Sequence, residues 1–242
     1  MDIIRPDWEA PAAVAAAATT RAGGVSTGPY AALNLGAHVG DDPAAVAENR
    51  RRLVEALDLP GEPAWLAQVH GTRVVEARPD GTPAEADAAV TREPGVVCAV
   101  LTADCLPVLL ASRRGDEVAA VHAGWRGLAD GVVEAALAAM TTPPTEVLAW
   151  LGPAIAQPAF EVGGEVRERF IARDVVNAAF FAPNDQGRWQ ADLAGLARRE
   201  LEAAGVTVSG GEFCTHDEAE RFFSYRRDGD CGRQATLVWI RS

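Results

Sequence analysis

The sequence contains no lysine, and all 22 of its basic residues are arginine. They are outnumbered by 34 acidic side chains, which leaves a net charge of -12 at neutral pH. A surface of that sign repels nucleic acid and anionic lipid, so neither is an expected partner of the whole molecule, although a local Arg cluster still attracts a small anion. Cysteine is scarce. Cys98, Cys105, Cys214 and Cys231 show no C-x-x-C spacing and are too few for a disulfide framework in 242 residues, so they read as reduced thiols. Histidine numbers four and methionine two, Met1 and Met140. No stretch approaches the roughly 20 apolar residues of a membrane-spanning helix. The apolar run Ala12–Ala18 lacks the basic flank of a secretory signal, since Asp2, Asp7 and Glu9 surround Arg5. The expectation is a soluble, cytoplasmic protein with no obligate protein partner.

No low-complexity linker or internal repeat interrupts the chain, and residues 1–242 are expected to form a single domain. Val14–Thr19 reads as a strand, followed by a Gly-rich loop over Arg21–Pro29. Pro43–Leu57 has helical spacing, with Val46, Leu53, Val54 and Leu57 on one face. Pro63–His70 and Val74–Arg78 are expected strands. Val96–Thr102 is a continuous apolar run suited to a buried strand, with further strands over Pro107–Ala111, Glu117–His122, Val147–Leu151 and Thr236–Ile240. Helices are expected over Leu128–Met140, Glu165–Ala172 and Asp192–Ala204, the last starting at an Asp192 cap. Pro/Gly-rich turns fall at Arg78–Pro83, Thr141–Thr145 and Ala182–Gly187. Strands alternate with helices but also arrive in pairs. The fold class is therefore mixed α/β, with layered central β-sheets flanked by α-helices rather than a simple doubly wound sheet.

Three residues sit at expected strand ends, where side chains converge on pockets. They are His70 in Gln68-Val69-His70-Gly71, Cys105 in Asp104-Cys105-Leu106-Pro107, and His122 in His122-Ala123-Gly124-Trp125. Two imidazoles and a thiolate leave a fourth position open on a tetrahedral metal, as catalytic sites do. Each residue alone is equally compatible with backbone-satisfied burial, and no compact zinc motif covers ligands so far apart. Asp104 could orient an imidazole or cap a turn. Arg21, on Arg21-Ala22-Gly23-Gly24-Val25-Ser26, could seat an anion, and Gly124-Trp125-Arg126-Gly127 is a second such candidate. Phe222-Phe223-Ser224-Tyr225-Arg226-Arg227 mixes rings and cations that suit a base and a phosphate, or simply a core. Cys214 and His216 read better as a strand end than as a metal pair. Cys98 reads as core, Cys231 as exposed, and His38 as a candidate pocket contact.

Taken in order, these phrases resemble one known family. Thr20–Ser26, Asn34-Leu35-Gly36, Gln68–Gly71, Thr102–Pro107, His122–Gly127, Leu151-Gly152-Pro153 and Phe223–Arg227 match the YfiH-like, or laccase-domain, group, long labelled polyphenol oxidase, over almost the whole chain. The resemblance implies a purine nucleoside phosphorylase with adenosine deaminase activity, acting on adenosine and inosine, with methylthioadenosine a further candidate. It also implies zinc at His70, Cys105 and His122, and a nucleoside and phosphate as small-molecule partners. Arg21, Asn34 and Arg226 are then the candidate substrate or phosphate contacts.

Donor chemistry discriminates among the family's labels. Multicopper chemistry needs many more than four histidines, and a blue-copper centre wants a weak axial ligand, usually Met. Zinc accepts mixed N/S ligation without a redox partner. Two rivals use the same residues differently. One is a metal-free hydrolase with Cys105 as nucleophile and His122 as base. The other is a non-enzymatic ligand-binding or cell-division partner protein.

Overall fold

Side chains along each long strand alternate between two buried faces, and this alternation builds the layers. A computed structural model describes residues 1–78 and 83–242. One sheet is antiparallel, in the spatial order β1 (Ile3–Ile4), β2 (Val14–Thr19), β15 (Gln234–Ile240) and β7 (Val97–Thr102). A six-stranded mixed sheet runs β14 (Thr207–Gly210), β10 (Val147–Leu151), β8 (Leu106–Ser112), β9 (Val118–Ala123), β6 (Ala88–Thr91) and β4 (Val74–Glu76). Two small sheets complete the set: β11 (Glu161–Val162), β13 (Trp189–Ala191) and β12 (Phe181–Pro183), and the pair β3 (Leu66–Ala67) and β5 (Ala84–Glu85).

The two large sheets face each other. Ala16, Ala18, Val100, Val238 and Ile240 from the first meet Leu109, Ala111, Val118 and Trp150 from the second in one core. The opposite faces are covered by helices. Ala15, Ala17, Ala99, Leu237 and Trp239 pack on Leu53 and Leu57 of helix α1 (Pro43–Leu57). Val108, Leu110, Val121 and Leu151 pack on α3 (Val132–Ala139), α4 (Gly164–Arg173) and α5 (Leu193–Ala203). The result is helix, sheet, sheet, helix, as a period-2 pattern with both faces apolar requires.

The ends of the helices follow local chemistry. Asp42 caps α1 by accepting from the Ala44 N–H at 3.0 Å, with Pro43 in the first turn. Asp192 caps α5 by accepting from the Gly195 N–H at 2.8 Å, as expected. Two expectations need correction. The strand expected over Pro63–His70 contracts to Leu66–Ala67, because the Gln68 side chain leaves the ladder and bonds Leu101 N–H and C=O itself (2.7 and 2.8 Å). The helix expected over Leu128–Met140 is two helices, α2 (Trp125–Asp130) and α3, broken at Gly131 with φ 96°. Within the turn expected at Arg78–Pro83, residues 79–82 lie outside the described residues.

A non-Gly residue at the Gly131 dihedrals carries a left-handed penalty of about 1–2 kcal/mol. Gly131→Ala is therefore expected to destabilise the protein by about that amount in urea denaturation. An unchanged midpoint would mean that residues 128–140 run as one continuous helix.

Candidate metal centre and cavity

Strand register brings the three ligand candidates together. In the β8–β9 pair, Pro107 lies opposite His122 and Leu106 opposite Ala123. One step further along, Cys105 falls beside Gly124. Cys105 is also the last residue of the short turn by which the chain leaves β7 in one large sheet and enters β8 in the other. That turn bends at Asp104, whose φ is 90°. His70, with φ 61°, projects from the loop after β3. Donor atoms of His70, Cys105 and His122 lie within 4.8 Å of one another. The Cys105 Sγ to His70 Nε2 distance is 3.8 Å, and the two imidazoles meet edge-to-face with centroids 4.8 Å apart.

Gly124 completes the space. A Cβ there would lie 2.8 Å from His70 Cδ2, 3.1 Å from Cys105 Sγ and 3.6 Å from His122 Cε1. Only glycine leaves room between the three donors. The set fits a single tetrahedral ion with one position open to solvent. It fits a copper array poorly, because it is the one such cluster among the described residues, and Met140 is buried at the end of α3 among the helices.

The residue that organises this centre is Asp87, which the sequence reading missed. It is fully buried just before β6. Oδ1 accepts from His122 Nδ1 at 2.8 Å and from the His70 N–H at 2.9 Å. Oδ2 accepts from the Gly71 N–H at 2.7 Å and the Val69 N–H at 3.3 Å. One carboxylate thus fixes the His122 tautomer and the loop carrying His70, leaving Nε2 of His122 for the site. The signal in the sequence was an acid flanked by buried alanines, Ala86-Asp87-Ala88. Asp104, the carboxylate considered for this task, points elsewhere. It accepts from Thr215 Oγ1 at 2.7 Å and the Arg226 N–H at 2.6 Å.

Burial raises the Cys105 thiol, but His122 and His70 outweigh it and bring it down to about 6. Burial lowers His122, but the Cys105 thiolate and Asp87 outweigh it and bring it up to about 9. Each thus favours the charged form of the other, in the direction of a thiolate–imidazolium pair. Burial tends to raise Asp87, but His122 and the Gly71 and His70 N–H groups hold it below the usual carboxylate range.

A cavity of about 250 Å³ opens over the centre, lined in part by His38, Gln68, Thr102, Tyr225 and Arg233. Of the residues expected to contact substrate, His38 is in the wall but Arg21, Asn34 and Arg226 are not. The Arg21 guanidinium is bonded to Ala31 O (2.8 and 2.9 Å) and Ala219 O (3.1 Å) and lies 4.7 Å over the Phe223 ring. It holds loops together. Asn34 is fully buried and bonds Gly36, Asp41 and the Arg233 N–H. Arg226 bonds Glu161 O at 3.0 Å. Phe222 and Phe223 are core, so Tyr225, 56% exposed, is the ring of that phrase free to meet a ligand. His216 pairs with Asp217 at 2.8 Å and does not join a metal set with Cys214. Cys98 is core, its thiol pushed up to about 12 by burial. Cys231, expected to be exposed, is 1% exposed beneath Phe223 and Ala103.

Fold and site together define a layered α/β protein with a His–Cys–His centre at the floor of a cavity. The family described as multi-copper polyphenol oxidoreductase laccase matches residues 15–241, and the chain belongs to that family, the YfiH-like group. It is 55% identical over 240 residues to a Pseudomonas aeruginosa protein named purine nucleoside phosphorylase, covering 98% of each chain. It is 52% identical over 241 residues to the Escherichia coli K12 protein named purine nucleoside phosphorylase YfiH, again covering 98% of each. The crystal structure of Neisseria meningitidis NMB0706 superposes with a TM-score of 0.97 at 49% identity over the full length of both chains. No helix among the described residues is long and apolar enough to cross a membrane.

Two predictions follow from the electrostatics of this centre. Asn at position 87 cannot accept all four of these hydrogen bonds, so Asp87→Asn should weaken metal affinity by about 10–100-fold in a chelator competition; unchanged affinity would remove Asp87 from its orienting role. In the metal-stripped protein, Cys105 should alkylate with iodoacetamide along a pH profile centred near 6. The sign follows from the lowered thiol: thiolate is already dominant at pH 7 and is lost only as pH falls through that value. A midpoint near the ordinary thiol value would show that the ion pair does not form.

Proposed function

We propose that the chain is a zinc-dependent purine nucleoside phosphorylase that takes adenosine or inosine and, as a further candidate, methylthioadenosine. A secondary adenosine deaminase activity would use the same pocket. The observation that carries this reading is the open His–Cys–His donor set at the floor of a cavity whose rim carries the exposed ring of Tyr225. The names of the relatives support it. Zinc held by His70, Cys105 and His122 would supply Lewis-acid polarisation of a substrate oxygen or nitrogen, or of a water.

The residues of the chain supply the rest. Tyr225 offers a face on which a purine stacks. Asp87 keeps His122 in one tautomer. In phosphorolysis a phosphate oxygen forms a bond to the anomeric carbon of the ribose while the bond from that carbon to the purine nitrogen breaks. The electron pair leaves with the base, which takes up a proton, and the products are free base and ribose 1-phosphate. Deamination ranks second because, among the described residues, no carboxylate lines the cavity to shuttle a proton.

One further observation favours a rival. The Cys105–His122 pair, backed by Asp87, has the order of a thiol nucleophile, its base and an orienting acid. Elemental analysis with product identification separates the two. About one zinc per chain is expected, with adenine and ribose 1-phosphate formed from adenosine only when phosphate is present, and inosine as the phosphate-independent product. Cys105→Ala should lose the zinc and both activities together. If Cys105→Ala is inactive yet retains full zinc, or if the chelated protein keeps its activity, the thiol mechanism replaces the metal one.

A further inference from the structure

Carboxylates are the commonest charged groups in this chain, yet among the described residues none lines the cavity above the candidate metal centre. Among the described residues its charged and titratable wall consists of His38, His70, Cys105, His122, Tyr225 and Arg233. Arg233 differs from the other arginines near the site. Its Nη1 bonds the carbonyls of Cys231 (2.8 Å) and Gly232 (3.0 Å), which fixes the stem. Among the described residues its Nε and Nη2 have no hydrogen-bond partner, and no carboxylate lies within ion-pair distance. The backbone beneath it is held by Asn34, whose Oδ1 accepts from both the Arg233 N–H and the Gly36 N–H at 2.9 Å. Tyr225 flanks it, with the guanidinium 6.0 Å from the ring centroid. His38 stands in the same wall, and behind it Arg50 is bonded to Leu35 O and stacked 4.3 Å over Trp65. Desolvation, then Arg233, Arg50 and His122, hold His38 below its ordinary value.

We propose that Arg233, with His38 beside it, is the seat of a tetrahedral oxyanion in this cavity, and that the anion is inorganic phosphate. The assignment rests on the phosphorylase reading above and deepens it. A pre-fixed guanidinium with one edge unengaged presents two parallel donors to an oxyanion, a geometry that a carboxylate-free wall leaves unopposed. Asn34 is then a positioning residue that acts through the Arg233 backbone. Gly36 has a matching role, since a Cβ there would lie 2.9 Å from Arg233 Cγ and 3.2 Å from its Cβ and would push the side chain aside.

The test uses zinc-loaded protein and two independent readouts: the dissociation constant for inorganic phosphate by calorimetry without nucleoside, and KM values for phosphate and adenosine in turnover. Arg233→Gln should weaken phosphate in both readouts by about ten- to a hundredfold, leaving zinc content and the KM for adenosine near wild type. Arg233→Lys should fall between, keeping the charge without the fork. Gly36→Ala should weaken phosphate with Arg233 still present, which covers the case in which Arg233→Gln fails to fold. Wild-type phosphate binding in Arg233→Gln or in Gly36→Ala, or an equal rise in the KM for adenosine, overturns the seat while leaving a working phosphorylase intact. Phosphate binding that depends on Arg233 in a protein that cleaves no nucleoside supports the seat and overturns the phosphorylase reading. Binding of AMP that depends on Arg233, with no binding of phosphate, overturns the choice of phosphate and makes the anion part of a nucleotide.

Discussion

The carboxylate of Asp87 is the constraint on which the centre depends. It is fully buried and accepts four hydrogen bonds, three from consecutive backbone N–H groups at Val69, His70 and Gly71 and one from the His122 ring. Desolvating an ion of this kind costs several kcal/mol, and removing a partner from a buried pair costs about 3–5 kcal/mol. The carboxylate is tolerated because every bond is made at once. That condition couples parts of the chain that share no sheet ladder. The loop after β3 is drawn down to the end of β9, and the two imidazoles are held edge-to-face.

The second determinant is topological. β7 and β8 are consecutive in sequence but belong to opposite sheets. The chain must therefore turn sharply at Ala103–Cys105, at the mouth of the space between the layers. Asp104 takes a positive φ to make that turn, and His70 takes one to face it. Each such residue costs about 1–2 kcal/mol. For Asp104 the cost is offset by bonds to Thr215 and Arg226, and for His70 by Asp87. Strained backbone thus falls at one candidate ligand and beside another, where it sets the direction of the side chains rather than being an accident of packing.

Much of this architecture is legible in the sequence. Val14–Thr19, Pro43–Leu57 and Val147–Leu151 announce themselves by apolar periodicity and form over those residues. Where periodicity and backbone dihedral disagree, the sequence misleads: the apolar stripe of residues 128–140 continues through Gly131, but the helix does not. His70, Cys105 and His122 are legible because each combines a rare ligand type with a strand end. Asp87 is not, because its meaning lies in three backbone groups some 17 residues away in the chain. Arg21 misleads for the opposite reason. A cation on a Gly-Gly loop suggests an anion seat, and only the fold shows that carbonyls of Ala31 and Ala219 already occupy the guanidinium. The residue that does face the cavity, Arg233, sits in an unremarked Cys-Gly-Arg-Gln stretch, and its value comes from what surrounds it.

The acidity of the chain bears on the same point. A net charge of -12 repels an anion approaching from a distance. The screening length at physiological ionic strength is about 8 Å, so surface carboxylates are felt weakly inside a recessed cavity, whereas groups in its wall are felt in full. Among the described residues that wall holds no carboxylate and carries the guanidinium of Arg233. Asp87, behind the wall, is neutralised by His122 and by backbone dipoles aimed at it. Local composition, not net charge, therefore sets the sign of the potential a ligand meets. The proposed phosphate seat is consistent with the acidity of the chain on this account: the surface repels polyanions as a whole, while the wall around Arg233 leaves a single small anion unopposed.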